Sequence, residues 1–151
     1  MRIYLDVSCL NRPFDDQGQE RIRLEAEAVA LILENCSRGP WKHVSSVMAM
    51  IEISQNPDLE VRRKVQELLP SASDIIDIDD ALVRRGQMIE AMGFTRADAV
   101  HVAAAESHGA DVLLTCDDRL LKAARRSRRR LAVVVENPVA WLEEQKDVQD
   151  T

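Results

Sequence analysis

One stretch, residues 97–121, constrains the fold of this 151-residue chain more than any other. A helical pattern ends near Gly109, a short apolar run follows over Val112–Thr115, and an acidic loop then opens a second helical pattern. An apolar run of this length, set between two helices, is typical of a strand that is buried on both faces of a parallel sheet. The stretch therefore predicts an α/β architecture.

The rest of the chain repeats this alternation. Five strands are predicted, over Arg2–Leu5, His43–Ser46, Ile75–Ile78, Val112–Thr115 and Leu131–Val135. Helices are predicted over Glu20–Cys36, Val47–Ile53, Asp58–Leu69, Asp79–Met92, 95–109, Asp117–Arg126 and Pro138–Gln145. Turn residues fill segment 9–19, which is predicted to be a loop. The alternation indicates a single domain over 1–145 with a mainly parallel sheet, followed by a polar C-terminal tail over 146–151.

Composition narrows the classes of function. Hydrophobic residues make up 46% and charged residues 30%, which indicates a globular chain. Aromatic residues make up only 3%, so base stacking is not the expected binding mode. The net charge of −6 is opposite in sign to that of most nucleic-acid-binding proteins, unless positive charge is concentrated locally.

Localisation is inferred from what the sequence lacks. The three cysteines, Cys9, Cys36 and Cys116, have no metal-ligand spacing and fit a reduced, cytosolic protein. No apolar run approaches the roughly 18 residues of a membrane span, and the N-terminus lacks a signal-peptide pattern. We therefore expect a cytoplasmic protein without a membrane partner.

Four acidic residues are candidates for a common site. Asp6 follows the first strand, Glu52 lies in the helix that leaves the second strand, Asp98 is in the first turn of a helix, and Asp117 follows the fourth strand. In open α/β sheets, sites lie outside the carboxyl ends of the strands, at the point where the strand order reverses. The alternation of strands and helices can bring all four acids to that edge.

Each acid also has a local explanation. Asp6 can be a strand-end residue, and Glu52 can be an ordinary exposed glutamate. Asp98 is the acidic member of a capping box, where it also interacts favourably with the helix dipole. Asp117 and Asp118 can both cap the following helix, and of the two we favour Asp117 as the site residue.

If the four acids converge, their charges require a cation. Two like charges about 4 Å apart repel by roughly 4 kcal/mol at an effective dielectric near 20. Such repulsion raises carboxyl pKa values unless a cation neutralises it. Oxygen ligands without His or Cys select Mg²⁺ or Mn²⁺ over Zn²⁺, and these ions suit phosphate chemistry.

Four segments together resemble the PIN-domain nucleases: Ile3–Ser8, the mid-helix Glu52, Ala97–Ala105 and Val112–Leu120. They occur in order across essentially the whole chain, and 97–121 is the most specific part. The size and single-domain organisation are similar to those of the VapC-like toxin branch, the ribonucleases of toxin–antitoxin pairs.

The resemblance implies a three-layer α/β/α sandwich around a central, mainly parallel sheet. It also implies an endoribonuclease that depends on Mg²⁺ or Mn²⁺ and hydrolyses RNA phosphodiester bonds. Asp6, Asp98 and Asp117 would be the main metal ligands, and Glu52 would complete the ligand set or act as a base.

The resemblance extends to two residues that support the acids and to the partners. Ser8 and Thr115 match family positions that support the acidic site by hydrogen bonding, whereas Val7 stands where a small hydroxyl residue is common. The implied partners are an RNA substrate and a cognate antitoxin protein. We further expect a homodimer, to which the apolar faces of the helical segments 20–36 and 47–69 could contribute beyond their default role in the core.

A basic segment follows the fourth acid, and its members are Arg119, Lys122, Arg125, Arg126, Arg128, Arg129 and Arg130. One interpretation is a patch beside the site that contacts RNA phosphates. The other is a solvated helix end, where arginine suits the helix dipole. His101, one helical turn after Asp98, is interpreted as a packed helix histidine rather than as a ligand or base.

Two other classes of function stay open. The first is a catalytically silent PIN-like module that binds RNA or acts as a scaffold, and the complete set of four acids argues against it. The second is a different Mg²⁺-dependent α/β enzyme or a phospho-acceptor domain. Such proteins usually need a lysine, or a threonine or serine, at fixed places near the sheet. The sequence offers no convincing lysine, since Lys122 lies in the basic segment.

Overall fold

A computed structural model describes residues 1–149 and folds them around a parallel sheet of five strands. The strands are β1 (Arg2–Leu5), β2 (Lys42–Ser46), β3 (Ile75–Ile76), β4 (Val112–Leu114) and β5 (Val134–Glu136). Their order is β3-β2-β1-β4-β5, and every neighbouring pair is parallel. The chain moves outward from β1 in both directions, so the switch point lies between β1 and β4.

Helices cover both faces of this sheet. Over residues 1–149 they are α1 (Val7–Asn11), α2 (Glu20–Arg38), α3 (Val47–Ser54), α4 (Leu59–Glu67), α5 (Asp80–Ala91), α6 (Arg96–Ser107), α7 (Asp118–Arg126) and α8 (Pro138–Gln149). Short 3-10 turns occupy Arg12–Phe14, Ala72–Asp74 and Arg128–Arg130. None of the helices described here combines the length and the apolar character that crossing a membrane requires.

The pleat of the central strands separates two hydrophobic cores. Ile3 and Leu5 pack with α1, α2, α3, α4 and α8, whereas Tyr4 packs with α5, α6 and α7. The neighbouring β4 alternates in the same way, and its Leu113 shares the core of Tyr4. Successive strand side chains point to opposite faces, so each central strand feeds both layers. The predicted three-layer α/β/α sandwich is confirmed.

The loop prediction for 9–19 is wrong over its first part. Helix α1 follows β1 directly, and the 3-10 turn Arg12–Phe14 continues it. The carboxylate of Asp6 accepts the backbone N–H of Val7 at 2.9 Å and so starts the helix. Pro13 fits the first turn of the 3-10 segment, where a missing N–H costs nothing.

Other helix ends agree closely with the sequence signals. Gly39, with φ of 63°, ends α2, and the carboxylates of Asp58 and Asp79 cap α4 and α5. At the C-terminus α8 extends to Gln149, so the polar tail predicted from Lys146 begins inside a helix. The last two residues of that tail, 150–151, lie outside the described residues.

Candidate active site

The candidate active site begins at Asp6, where β1 ends. The backbone N–H of Asp6 donates to the carbonyl of Leu114 at 2.9 Å, which ties the ends of β1 and β4 together. The carboxylate is buried and accepts the N–H of Val7 at Oδ1, and the hydroxyls of Ser8 and Thr115 at Oδ2, over 2.9, 2.9 and 2.8 Å. Val7 therefore contributes through its backbone, although its side chain has no donor. These bonds fix the carboxylate in one orientation.

Glu52 and His101 form a close group with Asp6. Oε1 of Glu52 lies 3.0 Å from Nε2 of His101, and that nitrogen lies 3.9 Å from Oδ1 of Asp6. Each residue offers one possible ligand atom, and the three atoms lie within 4.8 Å of one another. Among the described residues, this is the group of three or more side chains whose spacing suits a metal ion.

His101 is both a buried core residue and a neighbour of the acids. Burial lowers the pKa of His101, but the hydrogen bond to Glu52 and the charges of the nearby carboxylates outweigh burial and leave the pKa raised. Its other ring nitrogen, Nδ1, lies 2.7 Å from the hydroxyl of Tyr4. The sequence signal was the spacing from Asp98, since residues three apart share a helix face.

Asp98 and Asp117 lie beside this group and face Arg119. One guanidinium nitrogen of Arg119 is 3.8 Å from Oδ2 of Asp98 and 3.6 Å from Oδ2 of Asp117. Burial, followed by the charges of Asp6 and Asp117, raises the pKa of Asp98, so the three carboxylates interact. Neither Asp98 nor Asp117 belongs to the close group formed by Asp6 and Glu52 with the histidine. In this arrangement they share an arginine.

Both acids also perform their local tasks. The hydroxyl of Thr95 accepts the backbone N–H of Asp98 at 3.2 Å, and Asp117 caps α7 by accepting the N–H of Arg119 at 2.9 Å. Capping and a role in a site are compatible, because a carboxylate has two oxygens with several acceptor positions.

Asp118 points away from these acids. Both of its oxygens accept hydrogen bonds from Arg21 of α2, at 2.8 and 2.9 Å. The guanidinium of Arg21 holds the pKa of Asp118 below its usual value. The adjacent acids of the pair therefore face different neighbours, Arg119 for Asp117 and α2 for Asp118.

The basic segment is divided along α7. Arg119 and Lys122 lie in the first half of the helix, near Asp117, whereas Arg125–Arg130 lie at its far end and in the 3-10 turn that follows. The nine residues of α7 place its two ends about 12 Å apart. All seven basic side chains are exposed. The arginine run thus begins about two helical turns farther along α7 than Asp117.

Comparison with known protein families identifies this arrangement. A family model described as the PIN domain matches residues 3–126. The chain belongs to the PIN domain family. PIN domains are generally nucleases. The matched region contains all four acids and the residues that hold Asp6.

Solved structures share the fold. The crystal structure of FitAcB from Neisseria gonorrhoeae is 21% identical with a TM-score of 0.57, and the match covers 90% of this chain and 97% of that one. VapBC2 from Rickettsia felis, bound to a DNA fragment from its promoter, is 13% identical with a TM-score of 0.58. That match covers 91% of this chain and 98% of the other. A comparison with curated proteins gave no match.

Proposed function

We propose that this protein is an endoribonuclease that depends on Mg²⁺ or Mn²⁺ and acts as the toxin of a type II toxin–antitoxin pair. The observation that carries the proposal is the meeting of four acids at the carboxyl edge of a PIN-domain sheet. Asp6 and Glu52 lie within one close group, and Asp98 interacts with Asp6 and Asp117. Such a cluster is costly to fold without a function that uses its charge.

The donor set fits a hard divalent cation. Asp6, Glu52, Asp98 and Asp117 would hold it, and their carboxylate oxygens are the ligands that Mg²⁺ and Mn²⁺ prefer. Burial, followed by the negative charge of Asp6, raises the pKa of Asp98, and a bound cation would offset both effects. When bound, the metal supplies Lewis-acid stabilisation of the charge that develops on a transferring phosphate.

The residues of the chain have distinct tasks in this proposal. Ser8 and Thr115 hold Asp6 in one orientation, so that the site is organised before substrate arrives. Glu52 is the more exposed member of its group, which suits it to accept a proton from the attacking water. Arg119, whose side chain is 68% exposed, lies where it can contact a substrate phosphate.

Local positive charge reconciles RNA binding with a net charge of −6. Seven exposed basic side chains follow α7 from the acids to the 3-10 turn Arg128–Arg130. Such a row can track an RNA backbone over several phosphates, since phosphate contacts depend on charge and not on sequence.

Protein partners are proposed from the solved complexes and from exposed apolar residues. The similar structures include FitAcB and VapBC2, which supports a cognate antitoxin for this chain. Helices α2, α3 and α4 expose large apolar side chains that suit an antitoxin or a second copy of the chain: Leu24, Leu31, Met50, Ile51 and Leu59. An RNA substrate would place the protein in the cytoplasm, with 1–145 as its single nuclease domain.

A cleavage assay with matched variants tests the proposal. We expect the wild-type protein to cleave labelled RNA in the presence of Mg²⁺ or Mn²⁺. Cleavage should stop when EDTA removes the metal. Asp6→Asn and Asp98→Asn should abolish cleavage while circular dichroism shows an intact fold. Asp118→Asn is the matched control, because Asp118 faces Arg21, and it should cleave like the wild type.

Two results would contradict the proposal. Full activity in Asp6→Asn or Asp98→Asn would show that the acids are not the site. Wild-type protein that binds RNA and metal but never cleaves would favour the silent RNA-binding module instead.

A further inference from the structure

A buried chain of hydrogen bonds runs behind Glu52 through three side chains. The hydroxyl of Ser46 lies 2.7 Å from that of Tyr4, which in turn lies 2.7 Å from Nδ1 of His101. Nε2 of His101 then lies 3.0 Å from Oε1 of Glu52. Ser46 and Tyr4 are fully buried, and His101 is 1% exposed. Tyr4 itself touches none of the four acids through a hydrogen bond.

The chemistry of the groups fixes the donor at the Glu52 end of this hydrogen-bond chain. An ionised Glu52 only accepts hydrogen bonds, so Nε2 of His101 must carry the proton between them. A neutral imidazole accepts the Tyr4 hydroxyl proton at Nδ1, whereas a charged one donates from Nδ1 to the Tyr4 oxygen. The Tyr4 hydroxyl is hydrogen-bonded to that of Ser46 in either state, so every member is satisfied.

The chain also closes on the helix that carries Glu52. Ser46 is the N-cap of α3, where its hydroxyl oxygen accepts the backbone N–H of Ala49 at 3.2 Å. Glu52 lies in the same helix. The hydrogen-bond chain thus begins at the N-cap of α3 and ends at Glu52 within α3. Its middle is anchored in β1 by Tyr4 and in α6 by His101. The rings of Tyr4 and His101 also pack edge to face, with centroids 5.8 Å apart.

We propose that His101 is a positioning residue that holds the Glu52 carboxylate towards Asp6, and that Tyr4 holds the His101 ring in place for this task. Within the described residues, His101 is the hydrogen-bond partner of the Glu52 carboxylate. A partly exposed glutamate without this bond would sample several rotamers. The ring nitrogen that faces the acids carries a proton, so His101 orients a ligand and is not itself one. The inference rests on the proposed function, because the metal that Glu52 would bind is part of that function.

Tyr4→Phe tests the chain without touching the acids. It removes one oxygen and keeps the ring that packs against His101. We expect Mn²⁺ affinity, measured by calorimetry without RNA, to fall by roughly 10-fold, as for other residues that orient metal ligands. The turnover number for RNA should fall, with little change in KM. In ¹⁵N NMR of the metal-free protein, the Nδ1 signal of His101 should shift in Tyr4→Phe, because that nitrogen loses its hydrogen-bond partner.

Ser45→Ala is the matched control. Its hydroxyl is buried beside Ser46 and has no hydrogen-bond partner within the described residues. Removing it deletes a buried oxygen from the same strand but leaves the chain intact. Mn²⁺ affinity and the His101 nitrogen signals should therefore match those of the wild type.

A double variant separates positioning from general packing. His101→Leu should weaken Mn²⁺ binding by roughly 10–100-fold. Adding Tyr4→Phe to His101→Leu should cause no further loss, because Tyr4 acts through His101. His101→Gln keeps an amide donor and should restore part of the affinity.

Three results would overturn the inference. They are wild-type Mn²⁺ affinity in Tyr4→Phe, additive losses in the double variant, and a pulsed EPR spectrum with the ¹⁴N coupling of an imidazole bound directly to Mn²⁺. Failure of the proposed function would look different. In that case the wild-type protein would not cleave RNA. The metal affinity and the NMR signals of the variants would still report on the hydrogen-bond chain, because both are measured without RNA.

Discussion

The hydroxyl of Thr115 donates a 2.8 Å hydrogen bond to Oδ2 of Asp6, although 109 positions separate the two residues in the sequence. The same hydroxyl oxygen accepts the backbone N–H of Asp117 at 3.1 Å. Thr115 is fully buried at the end of β4, next to the end of β1. One side chain thus joins an acid of β1 to the loop that carries an acid of β4.

Thr115→Val should therefore damage the site while it keeps the shape of the core. The variant loses the donor to Asp6 and the acceptor for Asp117. We expect metal-dependent cleavage to fall by roughly 10–100-fold, as when other groups that orient metal ligands are removed. The free energy of unfolding, measured in urea, should fall by about 1.5–3 kcal/mol, because the lost bond involves a charged acceptor.

Thr115→Ser is the control for this prediction. It keeps the hydroxyl and removes only a methyl group, so cleavage should stay near the wild-type level with a small loss of stability. If Thr115→Val cleaved as fast as Thr115→Ser, the hydrogen bond to Asp6 would have no part in the activity.

Arg119→Gln should change metal and RNA binding in opposite directions. In the metal-free protein the guanidinium lies 3.8 Å from Asp98 and 3.6 Å from Asp117, where it competes with a divalent cation. Its removal should raise Mn²⁺ affinity by up to roughly fivefold, since exposed ion pairs are worth little. RNA binding should weaken, and the slope of log affinity against log salt should fall by about 0.7 for a single strand. Calorimetry and salt titration measure the two effects.

An arginine of another helix provides the comparison. Arg63 is exposed on α4 and, within the described residues, forms no ion pair with any of the four acids, so Arg63→Gln should leave both affinities unchanged. Weaker Mn²⁺ binding in Arg119→Gln would mean that Arg119 supports the acids instead of competing for them.

The elements of the fold were predictable because each has its own local signal. Short apolar runs and helical periods are properties of short segments. Gly39 marks a helix end by its backbone and Asp58 marks a helix start by its side chain. Helix α1 was missed because its signal is a single side-chain cap. An aspartate at this position can end a strand or start a helix, and the local sequence does not distinguish the two. The contact between the ends of β1 and β4, which fixes the chain direction at Asp6, involves residues far apart in the sequence.

The grouping within the site was harder to predict, since it depends on contacts between distant segments. Helical spacing places His101 on the face of Asp98, but its contact with Tyr4 spans 97 positions of sequence. The sequence also implies one shared metal for Asp98 and Asp117, whereas the structure sets Arg119 between them. Long side chains such as arginine reach several neighbours, and periodicity does not say which.

Replacing Arg128, Arg129 and Arg130 together with Gln tests the role of the arginine run. These exposed side chains lie at the far end of α7 from the acids. If they contact RNA phosphates, the salt slope of binding should fall by about 2 for a single strand. The turnover number at saturating RNA should stay constant, because the acids are untouched. An unchanged salt slope would leave the run as a solvated helix end.

His43 should make the stability of the folded state depend on pH between about 4 and 6.5, independently of the four site carboxylates. It lies at the start of β2, is buried, and has a ring nitrogen, Nε2, without a partner among the described residues. Burial, partly opposed by the charge of Asp74, lowers the pKa of His43 from 6.5 to about 4. Between these pH values His43 is protonated in the unfolded chain but not in the folded state. The free energy of unfolding therefore falls as pH falls from 6.5 towards 4.

The comparison of wild type with His43→Leu isolates this effect, because all other titrations are shared. From pH 7 to pH 5 the wild type should lose about 2 kcal/mol more unfolding free energy than the variant does, at about 1.4 kcal/mol per pKa unit. Urea unfolding at the two pH values measures the difference. Equal losses in both proteins would mean that His43 gains a proton as readily in the folded state as in the unfolded chain, through water or a shift of β2.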